Sequence, residues 1–241
     1  MQYGLLFDEA NCGDIRSYIN QHNDTINNAL RRKWSLQIAE AVAYVHQKGI
    51  IHSDIGTSNI LVHQTSETID LVLIDFGGST CLELDLSGHA IPGNAFLDPK
   101  LAASADFKTP KLDIFSLGVV IYIIMTGYYP FYQGPAPQHD ECTRLIALHE
   151  ESARAQAFFN EGKFPDLSGV QFQGVIAGCC CERQFETADE VVVALKAEML
   201  SHASQVSLLC SHLLLRLITP RSPSIYAELP SVNQISLSCS S

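Results

Sequence analysis

The stretch IIHSDIGTSNILVHQTSETIDLVLIDFGGS, Ile50 to Ser79, decides how this chain is read. It opens with a short polar loop that holds His52, Asp54 and Asn59. Two apolar β stretches follow, Asn59 to His63 and Ile69 to Ile74, joined by the polar QTSET, and Asp75 stands in a second loop just beyond them. Runs of Ile, Leu and Val on either side of a short polar connection read as a hairpin. Two carboxylates and a carboxamide therefore converge between apolar strands. Their oxygens suit hard cations, and a carboxylate also accepts a proton.

Working outward, Tyr3 to Ala10 reads as a short apolar strand, and Asn11, Cys12 and Gly13 as a turn. Asp14 then caps a helix that begins IRSYI. Between Asn27 and Lys48, apolar residues at Leu30, Trp34, Ile38, Ala41, Val42 and Val45 keep helical spacing, and Gly49 stops the helix. On the other side, Phe76 to about Pro110 is rich in loops. The segment from Asp113 to Thr126 is apolar on nearly every side, which places a helix at the centre of a domain. Further helices are expected around Glu141 to Asn160, Val170 to Cys181 and Thr187 to Met199. The fold class expected is mainly α with small β hairpins. Residues 1–199 read as one domain and residues 200–241, rich in Ser and Leu, as a poorly ordered tail.

A hydrophobic content of 46% with 17% charged residues describes a globular chain that can bury a core. The formal net charge of −11 argues against nucleic acid or an anionic membrane as partner, because both would be repelled. The opening MQYGLLFDEANCG has no secretory pattern, and the apolar run from Leu117 to Met125 is too short to span a bilayer. Eight cysteines, including Cys179, Cys180 and Cys181 in a row, read as buried free thiols of a reducing compartment. The expected location is intracellular, in the cytoplasm.

Phosphoryl transfer from ATP needs one group to orient and deprotonate the attacking hydroxyl, and others to hold Mg²⁺ on the phosphates. Asp54, Asn59 and Asp75 supply that set of groups. Here a resemblance becomes specific. HSDIGTSN resembles the catalytic loop of eukaryotic-type protein kinases, and Asp75-Phe76-Gly77 resembles their metal motif. LDIFSLG, with Asp113, is similar to the start of the family's central helix, with Phe115 in the place of a Trp, and ETADEVVVAL is similar to its last helix. The resemblance covers roughly residues 3–199, in order and at family spacing, and corresponds to the hinge and C-terminal lobe.

The resemblance implies that Asp54 is the catalytic base and that Asn59 and Asp75 are Mg²⁺ ligands. It implies ATP as cofactor, with Phe7 as gatekeeper, hinge groups at Asp8 and Ala10, Asp14 facing the ribose and Leu61 beneath the base. His52 and Phe76 would stack in the lobe's internal hydrophobic column. Read from the residues alone, Asp14 serves equally as a helix cap, and Asp113 as a tie for the loop containing His52. The implied partner is a protein, as substrate or as binding partner.

The sequence also departs from the family. No Gly-rich loop, phosphate-binding Lys or partner Glu precedes the hinge; the chain starts at the equivalent of the fifth strand. The expectation is an incomplete domain, inactive alone, whose apolar first strand (Leu5, Leu6, Phe7) invites self-association. Ser53 replaces an Arg, and Gly56 replaces a Lys that neutralises the γ-phosphate. Asp98-Pro99-Lys100 stands for Ala-Pro-Glu, whose Glu pairs with a buried Arg in the family. Aligning on Thr187-Ala188 puts Phe185 in that Arg place. Both partners are then gone, Lys100 faces solvent, and Arg183 cannot substitute for a residue of opposite sign to Lys100. Loss of both partners reads as compensated; the missing segment and Gly56 are what favour the alternative reading, a pseudokinase or interaction module.

Overall fold

Helix α4 (Pro110–Thr126) is the axis of the fold, with Leu112 to Ile124 buried without interruption. Thr109 caps its start by accepting from the Lys111 N–H, Pro110 occupies the first turn, and Gly127 ends it with φ +85°. A helix that is apolar all round has to be wrapped by others. Helix α2 (Asn28–Gln47) covers one side with Trp34, Ile38, Val42 and Val45, a stripe at helical spacing. Helix α6 (Gln173–Cys180) covers another. A Cβ added at Gly118 would lie 2.4 Å from the Cys179 Cβ and 2.6 Å from the Cys180 Sγ, so only glycine lets α4 and α6 come this close. Burial pushes the Cys179 and Cys180 thiols well above their ordinary range, and they pack as neutral groups.

The computed structural model describes residues 9–132 and 141–201, all within one unit that ends at Ser201. Of the expected first strand only Glu9 and Ala10 fall among them; Phe7, Asp8 and the segment 202–241 lie outside the described residues. The remaining helices are α1 (Ile15–His22), α3 (Pro99–Ser104), α5 (Glu141–Asn160) and α7 (residues 188–201). The expected hairpin is β2 (Ile60–Gln64) against β3 (Ile69–Leu73), in register from Ile60↔Leu73 to Gln64↔Ile69. Helix α2 supports it directly, because the fully buried Trp34 donates from Nε1 to the Ile69 carbonyl at 3.1 Å.

Two features were not expected from the pattern. Strands β1 (Ile50–Ile51), β4 (Thr80–Cys81) and β5 (Leu86–Ser87) form a three-stranded sheet in the order β1-β4-β5. Each has two residues, too few to show a period. Helix α3 lies in the segment read as loop, and its signal was present: Asp98 caps it and Pro99 sits in its first turn. Among the described residues no helix is long and apolar enough to cross a membrane.

Candidate active site

Asp113 on α4 organises the loop that contains His52. Fully buried, it accepts from the His52 N–H at 2.7 Å and the Ser53 N–H at 2.9 Å, and lies 2.9 Å from the His46 Nε2. These bonds hold Ser53 in a left-handed turn (φ +68°), a conformation that costs a non-glycine residue about 1 kcal/mol. The reading of Asp113 as a tie is the one its bonds satisfy.

The turn presents His52 and Asp54 to the base of the hairpin. The His52 ring bonds on both sides, through Nε2 to the Ile74 carbonyl (2.9 Å) and through Nδ1 from the Asp54 N–H (3.3 Å). This pattern selects the neutral tautomer protonated on Nε2. Asn59 donates from Nδ2 to the Asp54 carbonyl at 2.8 Å and to Asp54 Oδ2 at 2.9 Å. Neither bond uses Asn59 Oδ1, the hard-donor end of the amide, or Asp54 Oδ1. The Ile74 N–H donates to the Asn59 carbonyl at 3.0 Å, which closes the hairpin one residue before Asp75. Asp75 is exposed, left-handed (φ +63°), and accepts from the Gly77 N–H at 3.2 Å. Phe76 meets the His52 ring at a centroid distance of 4.9 Å.

Oxygens from one carboxamide and two carboxylates at one end of a hairpin fit a hard, hydrated cation such as Mg²⁺. Leu61 is half-buried on the face of β2 opposite Ile60 and Val62, and is bridged to Asp14. Asp14 spends both carboxylate oxygens on Ser17, at 2.9 Å from its N–H and 2.6 Å from its hydroxyl. Of its two roles, the cap is the one with bonds in place. Ala10 is half-buried just before the turn.

Beside this cluster, residues 93–98 form a wall fastened from several sides. The Phe96 carbonyl accepts from the Ser116 hydroxyl (2.7 Å), and the Ala95 N–H donates to the Ser152 hydroxyl on α5 (2.9 Å). The Phe96 ring meets Tyr129 edge-on at 6.0 Å, and the Tyr129 hydroxyl is 3.1 Å from that of Thr57. Arg16 lies over Tyr129 and pairs with the buried Glu151 at 3.1 Å.

The end of this wall corrects one expectation. Asp98 is buried and takes a two-pronged bond from Arg183, with Nε to Oδ2 and Nη2 to Oδ1 both at 2.7 Å. Lys100 is exposed, as expected, and Phe185 carries no charge. An ion pair nonetheless closes the segment, moved from positions 100 and 185 to positions 98 and 183. Arg183 opposes Lys100 in sign with nothing, but it does oppose Asp98.

The ordered loop, the metal-type oxygens and the central Asp-headed helix agree with a match of the protein kinase domain family to residues 2–203. The chain belongs to the protein kinase domain family. Its relatives include the serine/threonine-protein kinase kin-29 of Caenorhabditis briggsae, 39% identical over 103 residues, which is 42% of this chain and 12% of the relative. The serine/threonine-protein kinase ppk25 of Schizosaccharomyces pombe is 32% identical over 70% of this chain and 44% of its own length. The human SNF-related serine/threonine-protein kinase is 27% identical over 69% of this chain and 24% of its own length. The chain thus spans less than half the length of each of these relatives.

Within this kinase lobe, sequence reasoning missed Thr57, Tyr129 and Ser152, and it set Arg183 aside by weighing it against Lys100 instead of Asp98. Each acts through a partner more than fifty residues away in the chain, which no local pattern reveals.

Proposed function

We propose that this lobe is the part of a protein kinase that receives the acceptor hydroxyl and the metal-bound phosphates of ATP. The observation that supports this reading is the pair of bonds from Asn59 to Asp54, together with the bond from Ile74, the residue before Asp75, to the Asn59 carbonyl. Asn59 holds one carboxylate oxygen of Asp54 and leaves the other to accept the hydroxyl proton. Asn59 Oδ1 and the Asp75 carboxylate would hold Mg²⁺. That ion, when bound, neutralises charge on the phosphate oxygens. Leu61 and Ala10 would line the adenine side with Phe7 and Asp8, and Asp14 the ribose side. The relatives are named serine/threonine kinases, so the acceptor proposed is a serine or threonine hydroxyl of a protein, and the location proposed for this chain is intracellular, in the cytoplasm.

Gly56 favours a second reading. The Phe96 ring lies 3.5 Å from where its Cβ would be, and no cation extends from this position toward a phosphate. Losing one fixed charge at such a place is worth about 3 kcal/mol of transition-state stabilisation. On this reading the lobe is a pseudokinase or interaction module that binds a protein partner and transfers nothing.

Amide NMR of the 241-residue polypeptide with ATP and Mn²⁺ separates the two. Paramagnetic broadening centred on Asn59 and Asp75, and absent from Asp75→Asn, is the expected result. No broadening, or broadening unchanged by that substitution, favours the module. Phosphate transfer by this polypeptide alone should be negligible, since no residue in it matches the family's phosphate-binding Lys. Strong Asp54-dependent transfer would defeat that part. Light scattering of the chain and of a Leu5→Ser/Phe7→Ser variant tests self-association through the apolar residues Leu5 to Phe7, which should fall in the variant.

A further inference from the structure

We propose that the pocket beside the Asp98–Arg183 pair docks a peptide that presents an oxyanion next to an apolar side chain. The pocket has a volume of about 190 Å³ and is formed where α3, α4 and the loop after α6 meet. Leu101, Ile114 and Phe185 give it an apolar lining, and two lysines, Lys100 and Lys111, line it as well.

The charges around it are unequal in what they can offer. Arg183 and Asp98 satisfy one another, and Arg183 Nη1 is also taken by the Cys181 carbonyl at 3.3 Å. This pair therefore builds the wall and attracts little. Lys111 is bound to Glu186 at 2.7 Å, but the two side chains are 44% and 63% exposed. Such an exposed bridge is weak and yields to a competing oxyanion. Lys100 is exposed, and among the described residues no carboxylate lies within ion-pair distance of its ammonium group. Two available cations over an apolar lining match a side-chain phosphate or carboxylate followed by a hydrophobic residue.

The same features argue against other ligands. A metal ion would face ammonium groups, and a nucleic acid would be repelled by a chain of net charge −11. A short peptide brings its charge only where the local field is favourable. The shift of the ion pair to Asp98 and Arg183 is what frees this site, because a Glu at position 100 would cancel it. The proposal is independent of phosphoryl transfer, since its readout is binding and neither lysine belongs to the candidate active site.

Fluorescence anisotropy with a labelled peptide carrying phosphoserine followed by leucine tests it on the 241-residue polypeptide. Peptides with Asp or unmodified Ser in that place distinguish the oxyanion from the backbone, and inorganic phosphate serves as competitor. The phosphoserine and Asp peptides should bind, and the Ser peptide about tenfold more weakly, the weight of one charge-assisted contact. Lys100→Glu and Lys111→Gln should each weaken binding about tenfold without lowering the melting temperature, while Lys163→Glu, elsewhere on the surface, should leave it unchanged. Equal binding by the Lys100 and Lys111 variants, equal binding of the Ser peptide, or binding in no arm would overturn the proposal. Inorganic phosphate competing as tightly as the phosphopeptide would reduce the site to an adventitious ion only, and overturn it too.

Discussion

Replacing Arg183 with Met keeps an unbranched apolar stem and removes the guanidinium, both from Asp98 and from over the Phe115 ring. Two charge-assisted hydrogen bonds of 2.7 Å are lost. Breaking a buried ion pair by removing one partner costs about 3–5 kcal/mol, because the other charge is left behind. Here the orphan is Asp98, whose side chain is 4% exposed, whereas that of Arg183 is 21% exposed. Water can enter where the guanidinium was, and Asp98 keeps its cap bond from the Lys100 N–H at 2.9 Å. The expected loss is therefore about 2–4 kcal/mol. Hydrogen bonds to Asp98 hold the Arg183 guanidinium above its ordinary value, against the opposing effect of burial. A cation raised in this way contributes fully below its unfolded value and loses its contribution only as pH rises through the folded one. The loss in the variant should thus be constant across neutral pH.

The assay is urea unfolding followed by the fluorescence of Trp34, the chain's single and fully buried tryptophan. Asp98→Asn retains an oxygen for the cap while removing the charge, so it completes a double-mutant cycle with Arg183→Met. A coupling of about 1.5–3 kcal/mol is expected, with the double variant less damaged than the sum of the singles. Lys100→Glu should change stability by less than about 0.5 kcal/mol, as exposed substitutions do. A coupling below about 0.5 kcal/mol, or a Lys100→Glu variant as damaged as Arg183→Met, would refute the reasoning.

Three further outcomes follow from the same packing. Gly118→Ala should cost about 1–3 kcal/mol despite the better helix propensity of alanine, because its Cβ meets two buried side chains of α6; thermal unfolding measures this. Asp113→Asn should cost about 2–3 kcal/mol and speed hydrogen exchange at His52 and Ser53, since an amide cannot accept from both N–H groups and His46. Burial pushes the Glu151 carboxyl up, with Arg16 opposing. A raised carboxyl binds its proton more tightly in the fold, so between its ordinary and its raised value stability falls as pH rises. Glu151→Gln should flatten that part of the stability profile in urea titrations at mildly acidic and neutral pH.

What was legible in the sequence is what repeats or stays local. Helix α2 shows its period over twenty residues, and α4 its unbroken apolar run. The groups around Asp54 all come from one stretch in which a five-residue hairpin register returns the chain to its starting point. Spacing along such a stretch converts directly into distance. The three-stranded sheet was not legible because β1 and β4 are two residues each and lie apart in the chain. Helix α3 was legible in principle, from Asp98 and Pro99, but the same residues were read for their motif instead of their cap.

The ion pair shows what a motif alignment leaves out. Spacing carries over within a helix, so anchoring on Thr187-Ala188 is sound for α7, but it need not hold in the loop before it. Arg183 is left-handed there (φ +52°), and this turn sends its side chain back toward α4, over Phe115 and onto Asp98. At the other end, the start of α3 decides which residue can receive it. An N-cap residue faces the first helical N–H groups, and Asp98 in that role is buried. Lys100, two positions on, has left the cap and points to water. A carboxylate restored at position 100 would stand outside the wall, and one at position 98 stands within it. The residue that closes the segment is therefore chosen by the helix cap and not by its rank in the motif.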